Sequence, residues 1–244
     1  MIPEQQHLLI FLITAHLLAD FVFQTNYDVE KKKNPFVFVK HIIITTILVY
    51  LWVGDWTNWF IPVIIFSTHS IIDFLKLYSG KGLKSFVTDQ LAHLIIIFGI
   101  VFYYNSSDIS FYWYELFGAS FIKVSVIISG VILTVPTGAI TIQYFIAPFV
   151  NQSNEVTQNG LPEGLKNGGK VIGYLERFLI FIFVLTNVIE GVGFLIAAKS
   201  VFRFGELQDR QNRIAAEYIL IGTLYSFAWG LTFAWLTKYL TVLY

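Results

Sequence analysis

The sequence contains no cysteine, which excludes disulfide bonds, thiolate zinc sites and iron–sulfur clusters. Charged residues are scarce: they make up 13% of the 244 residues, whereas soluble globular domains carry about 25%. The formal net charge is zero, so the basic excess typical of nucleic-acid binding is missing and no nucleic-acid partner is expected. Because 56% of the residues are hydrophobic, we predict an all-α, polytopic transmembrane helical bundle.

Apolar runs near the ~20 residues needed to cross a bilayer mark the predicted helices. Six runs are clear, at about 7–24, 36–53, 59–77, 89–104, 119–149 and 215–241. Pro136 predicts a kink in the fifth run. The stretch from Ile172 to Phe204 would be about 50 Å long as one helix, against a hydrocarbon core of about 30 Å. Polar residues and glycines between Asn187 and Gly193 permit a break, which gives about eight spans.

The distribution of lysine and arginine predicts the orientation. Basic residues concentrate in alternate segments, 25–35, 76–88, 150–171 and 199–214. By the positive-inside rule these segments lie in the cytoplasm, and a break near Asn187 places all of them on that side. Both termini are then expected outside the cytoplasm. Residues 1–244 are interpreted as a single transmembrane domain, in which the glycine-rich segment 150–171 is a flexible cytoplasmic loop.

The first and third predicted helices share a motif. His16-Leu-Leu-Ala-Asp20-Phe21 recurs as His69-Ser-Ile-Ile-Asp73-Phe74. A further histidine opens the apolar run after each copy, His41 after the first and His93 after the second. This pattern predicts a duplicated N-terminal helical hairpin, with internal repeats at 7–53 and 59–104, as in membrane proteins built from parallel repeats.

Three histidine–carboxylate pairs have the i, i+4 spacing that places both side chains on one helix face. They are His16–Asp20, His69–Asp73 and Asp89–His93. An ionisable group at the centre of a membrane helix costs about 2.5–3.5 kcal/mol, so such a cluster needs compensation by pairing, metal or water. Imidazole and carboxylate suit a divalent zinc, manganese or iron ion in a site without sulfur. The predicted metal ligands are His16, Asp20, His41, His69, Asp73 and His93.

Other charged residues near the predicted cytoplasmic face are candidates for chemistry and for substrate binding. A metal-bound water needs a base, and the candidate catalytic residues are Asp89, Glu176 and Glu217. Anionic groups are bound by lysine and arginine, and the candidate substrate contacts are Lys76, Arg177, Lys199 and Arg203.

Several motifs together resemble a known family. They are His16-x3-Asp20-Phe-Val-Phe-Gln24, His69-x3-Asp73-Phe-x-Lys76, Asp89-Gln90-x2-His93, Gly173-Tyr-Leu-Glu176-Arg177, Ala198-Lys199-x3-Arg203 and Glu217-Tyr-x3-Gly222-Thr-x2-Ser226. Over nearly the whole chain they resemble an uncharacterised bacterial integral membrane family known only as a domain of unknown function, number 3307. The resemblance implies a multi-pass protein of the bacterial inner (cytoplasmic) membrane and names no activity. The His/Asp pattern also loosely resembles membrane-bound metal-dependent hydrolases.

The interpretation favoured by these residues is an intramembrane metal-dependent hydrolase acting on a lipid-like or phosphorylated amphiphile at the cytoplasmic leaflet. Its expected partners are the lipid bilayer and that amphiphilic substrate. A proton- or ion-coupled transporter is one alternative, because intramembrane carboxylates and parallel repeats also occur in transporters. A non-catalytic membrane protein, whose buried cluster forms salt links that hold the helices together, is the other.

Overall fold

A computed structural model of the chain describes residues 3–80, 82–104, 110–153, 168–207 and 213–244. Within these residues, all regular secondary structure is helical. The chain forms two compact units. Unit 1 consists of Met1–Ile132 with Leu240–Tyr244, and unit 2 consists of Leu133–Tyr239.

Unit 1 contains seven α-helices and one π-helical turn among its described residues. They are α1 (Pro3–Leu18), the π-helical turn Ala19–Phe23, α2 (Asn26–Glu30), α3 (Pro35–Val53), α4 (Phe60–Lys76), α5 (Leu83–Tyr103), α6 (Tyr112–Phe117) and α7 (Ala119–Ile132). Helix α3 begins at a proline after Asn34, whose side chain accepts the Phe36 N–H at 2.9 Å. It ends at Gly54, which adopts the left-handed conformation favoured after a helix. Helix α5 begins six residues before the apolar run 89–104, because that run marks only its most hydrophobic part.

Helices α1, α3, α4 and α5 form a four-helix bundle. Helix α1 packs against α3 and α5, and α4 packs against the same two helices, so the four surround a common interior. Leu8, Phe11 and Leu12 of α1 are fully buried in an apolar core that fills the part of the bundle nearer the start of α1. Thr14 joins α1 to α7 through a 2.8 Å hydrogen bond with Ser129. The later part of α1 therefore meets the bundle interior beyond this apolar core.

Unit 2 begins with a π-helical turn. Its elements are the π-helical turn Leu133–Thr137, α8 (Gly138–Ser153), α9 (Gly168–Leu185), α10 (Ile189–Leu207) and most of α11 (Arg213–Leu243). The turn contains Pro136, at the position of the predicted kink; proline has no N–H to donate within a helix. Two side chains bond carbonyl groups of this turn: Trp229 Nε1 donates to Leu133 O at 2.8 Å, and Arg177 Nε donates to Val135 O at 3.3 Å.

The predicted break in the long apolar stretch is confirmed. Helix α9 ends at Leu185 and α10 begins at Ile189, and between them Asn187 has a φ of 64°. Helices α8 and α9 occupy both ends of the predicted loop 150–171. Residues 154–167 lie outside the described residues, so the flexibility of this loop stays a prediction.

Five helical segments are long and apolar enough to cross a membrane. They are Pro3–Phe23, Pro35–Val53, Leu83–Tyr103, Ala119–Pro148 and Leu220–Leu243. The all-α class is confirmed, and these segments indicate a membrane protein. Helices also form at the other three predicted spans, but α4 has only 17 residues and both α9 and α10 contain several charged residues. The count of eight spans and the duplicated hairpin stay predictions.

Candidate metal centre

Each helix of the four-helix bundle contributes one histidine to the interior. These are His16 from α1, His41 from α3, His69 from α4 and His93 from α5, and each is at most 5% exposed. The rings of His69 and His93 are stacked, with centroids 4.2 Å apart. The two predicted hairpins therefore bring their histidines together, as the sequence pattern indicated.

The carboxylates enter the same interior from one end of the bundle. Asp20 lies in the π-helical turn that ends the first candidate span, and turns of this kind are frequent at functional sites. Asp73 lies one turn before the end of α4 and is 1% exposed. At about 1.5 Å per residue, His69 lies roughly 10 Å from that end and His41 about 9 Å from the start of α3. The cluster thus sits near the bundle end that carries Lys32 and Lys76.

Among four ligand atoms, five of the six separations are close to those of a tetrahedral metal site. His41 Nε2 lies 3.1 Å from His69 Nε2. Asp20 Oδ1 is 3.4 Å from the His41 nitrogen and 3.7 Å from the His69 nitrogen, and Asp73 Oδ2 is 3.4 and 3.5 Å from them. Ligands bound tetrahedrally at 2.0–2.1 Å lie about 3.3–3.4 Å apart. We call Asp20, His41, His69 and Asp73 the tetrahedral set.

A second group of atoms lies beside the tetrahedral set. His93 Nε2 is 3.8 Å from Asp89 Oδ1 and 4.0 Å from Asp73 Oδ1. All three atoms are buried and have no hydrogen-bond partner among the described residues, and the same is true of Asp20 Oδ1. Buried polar atoms are normally satisfied, so four unsatisfied ligand atoms in one cluster fit a bound cation.

Two lysines contact the carboxylates at the bundle end. Lys32 Nζ lies 2.8 Å from Asp73 Oδ2, and Lys76 Nζ bonds Asp89 Oδ2. Lys32 was not predicted as a site residue, because it is the middle member of a basic run that also explains the topology. Its burial distinguishes it: Lys32 is 8% exposed, while Lys31 and Lys33 are exposed. The side chain of Lys76 is 31% exposed, so it reaches the surface.

Gln90 holds three members of the cluster in place. Its amide nitrogen donates to Asp20 Oδ2 at 3.3 Å and to Asp89 Oδ2 at 3.1 Å. Its carbonyl oxygen, which can only accept, lies 3.2 Å from His16 Nε2. Nε2 of His16 therefore carries the proton in this contact. The free lone pair of the ring is then on Nδ1, which lies 4.0 Å from Asp20 Oδ1. Such outer hydrogen bonds fix the orientation of metal ligands.

A small cavity adjoins the histidines on their apolar side. Its volume is about 10 Å³, roughly the space of one water molecule. His16, His69 and His93 line it together with the hydroxyl-bearing Thr45 and Thr68 and with aliphatic side chains. The cavity therefore offers a place for a single water beside the candidate ligands.

The remaining candidate residues lie in unit 2. Glu176 of α9 bonds Lys199 of α10 with 2.6 Å between Oε2 and Nζ. Arg177 is 3% exposed and donates to Ser226 Oγ at 3.1 Å as well as to the π-helical turn, so it links parts of unit 2. Glu217 lies exposed on α11.

Arg203 lies on α10, and its side chain is outside the described part of the structure. The meeting of these unit 2 residues with the histidine cluster of unit 1 stays a prediction.

Residues 8–119 match the family model described as "Protein of unknown function (DUF3307)". The similarity to this family covers 112 of the 244 residues. All four cluster histidines and Asp20, Asp73 and Asp89 lie within the matched residues, whereas the candidates of unit 2 lie beyond them. The match thus covers a shorter part of the chain than the motifs indicated. Neither a curated protein nor a solved structure matches the chain significantly.

Proposed function

We propose that this protein is an intramembrane metal-dependent hydrolase that acts on a lipid-like or phosphorylated amphiphile at the cytoplasmic leaflet. The observation that carries the proposal is the tetrahedral set: two imidazole nitrogens and two carboxylate oxygens spaced 3.1–3.7 Å apart along five separations. A divalent zinc, manganese or iron ion held there would lower the pKa of a bound water and make it nucleophilic. The cavity beside His16, His69 and His93 is the place where such a water would approach.

Asp89 is the best-placed candidate for a general base. It is buried, one of its oxygens is 3.8 Å from His93 Nε2, and the other is held by Lys76 and Gln90. A carboxylate within hydrogen-bond reach of the attacking water can accept its proton. Glu176 and Glu217 stay further candidates, but they belong to unit 2.

The surroundings of Lys76 fit an amphiphilic substrate. Its ammonium group is partly exposed and can contact an anionic head group. Phe74 and Leu75, beside it on α4, are 52% and 63% exposed, which suits an apolar tail. An approach to the polar centre past these apolar side chains would favour a lipid-like molecule over a small hydrophilic one.

The apolar core of unit 1 favours an enzyme over a carrier. Leu8, Phe11, Leu12 and their neighbours fill the bundle on the side away from the lysines. A transporter must open its site to both faces of the membrane, whereas an enzyme acting on a leaflet lipid needs one opening. The closed apolar half supports the second case.

We further propose that the protein spans the bacterial inner membrane eight times, with both termini outside the cytoplasm. Because the chain lacks cysteine, a single introduced cysteine is the only thiol. Cysteines at Ser110 and Thr186 should react with an impermeant maleimide from outside, and one at Ser79 from the cytoplasmic side. Labelling of Thr186→Cys from the same side as Ser79→Cys would contradict the eight-span topology.

The salt-linked bundle is the competing explanation, and the Lys32–Asp73 and Lys76–Asp89 pairs favour it. To separate the two, the purified protein is loaded with zinc, manganese or iron and assayed on phosphate-ester and carboxylic-ester amphiphiles in mixed micelles. The hydrolase predicts metal-dependent turnover that His41→Ala abolishes. His7→Ala is the matched control, since His7 is also buried in unit 1 but lies against Phe111, Tyr114 and Tyr244. Failure to bind any of the three metals would contradict the proposal.

A further inference from the structure

We propose that the bundle holds two divalent cations, with Asp73 bridging them, and that the two-ion centre acts on phosphate esters. This inference rests on the proposed function and specifies its metal content and substrate class.

The two oxygens of the Asp73 carboxylate face different partners. Oδ2 lies 3.4 Å from His41 Nε2 and 3.5 Å from His69 Nε2, within the tetrahedral set. Oδ1 lies 4.0 Å from His93 Nε2 on the other side of the same carboxylate. Two ligands of one ion bound at about 2.1 Å are at most about 4.2 Å apart, so Oδ1 and His93 can share an ion. One carboxylate is therefore placed to contribute an oxygen to each of two ions.

Asp20 also joins both groups of ligands. Ligand atoms of Asp20, His41 and His69 lie within 4.8 Å of one another, and so do those of Asp20, Asp89 and His93. The second group lacks hydrogen-bond partners for His93 Nε2 and Asp89 Oδ1 among the described residues. A single ion in the tetrahedral set would leave these two atoms unsatisfied, whereas a second ion would bind both. Asp89 would then serve as a metal ligand and not as the general base.

The charges of the cluster agree with two ions and a bridging hydroxide. Three carboxylates and two divalent ions leave one positive charge, which the hydroxide cancels. Lys32 and Lys76, which form ion pairs with Asp73 and Asp89 in this structure, would then be free to offset a phosphate dianion. Two ions about 3.5–4 Å apart stabilise the attacking and leaving oxygens of phosphate-ester hydrolysis. A four-helix bundle interior is a common place for such carboxylate-bridged centres.

The test is the manganese stoichiometry of the full-length purified protein together with its electron paramagnetic resonance spectrum. We expect two manganese ions per chain and an exchange-coupled spectrum at saturation. His93→Ala should retain one ion with an uncoupled signal, because the tetrahedral set is intact. The matched control His7→Ala should retain two coupled ions.

The two proposals fail differently in this measurement. One uncoupled ion per wild-type chain would overturn the two-ion centre and leave the metal-dependent hydrolase standing. No bound manganese, zinc or iron would overturn both. Two ions that stay coupled in His93→Ala would show that the second ion lies elsewhere and would also overturn the assignment.

Discussion

Replacing Lys32 with methionine tests how the charge of Asp73 is balanced. Methionine keeps much of the length of lysine and removes the ammonium group that lies 2.8 Å from Asp73 Oδ2. The Asp73 side chain is 1% exposed and that of Lys32 is 10% exposed, so water cannot replace the lost partner easily. Removing one member of a buried ion pair costs about 3–5 kcal/mol. We expect about 3 kcal/mol here, at the lower end of that range.

The expected loss is measurable as a thermal midpoint in detergent, followed by circular dichroism. For a chain of this size about 1 kcal/mol corresponds to roughly 2–4 °C, so metal-free Lys32→Met should unfold about 6–12 °C below the wild type. Zinc should reverse the loss, since a bound cation supplies the charge that the lysine supplied. If the zinc-loaded wild type and the zinc-loaded variant are equally stable, Lys32→Met binds zinc up to about 100-fold more tightly than the wild type does.

Lys33→Met is the matched control, because Lys33 adjoins Lys32 in sequence but is exposed. It should unfold at the wild-type temperature with and without zinc. If Lys32→Met were destabilised and zinc gave no recovery, the salt-linked bundle would explain the cluster better. An unchanged midpoint for metal-free Lys32→Met would refute the reasoning about buried charge.

Two other predictions concern unit 1 outside the cluster. The Lys40 ammonium bonds the Asp28 carboxylate and, together with hydrogen bonds from Thr25, holds its pKa at about 2, below the ordinary 3.8. The resulting stabilisation is present above about pH 4 and is lost as the pH falls towards 2. Asp28→Asn should therefore make the free energy of unfolding depend less on pH in this acidic range. An unchanged pH dependence there would contradict this. Gly54→Ala should lower the free energy of unfolding by about 2 kcal/mol, because Gly54 has a φ of 68° and an added Cβ would lie 2.8 Å from Trp113 Cδ1. The loss is measured by thermal unfolding, and a wild-type midpoint would contradict it.

The histidine cluster was largely predictable because its signal is a local repeat. Each H-x3-D-F motif places one histidine and one carboxylate on a single helix face. The histidines of the two returning helices, His41 and His93, were expected at the same depth in the membrane as these motifs. Helix packing then brings the four histidines into one interior, as the bundle shows. The break near Asn187 was also predictable, because bilayer thickness limits the length of a membrane helix.

The particular partners within the cluster were not predictable. Helix periodicity indicated His16 and Asp20 as one pair, but Asp20 lies in a π-helical turn and approaches His41 at 3.4 Å, closer than His16 at 4.0 Å. The role of Lys32 depends on the chain between α2 and α3, which directs one of three consecutive lysines inward. Such contacts follow from packing between elements and leave no periodic pattern in the sequence.

X-ray absorption at the zinc edge of the zinc-loaded, full-length protein tests the central claim most directly. We expect zinc to be bound by histidine nitrogens and carboxylate oxygens at about 2.0–2.2 Å, with the outer scattering that imidazole rings produce. This imidazole scattering should decrease in His41→Ala and stay unchanged in His7→Ala. A spectrum of oxygen ligands alone, identical in the wild type and His41→Ala, would contradict a metal centre in the bundle.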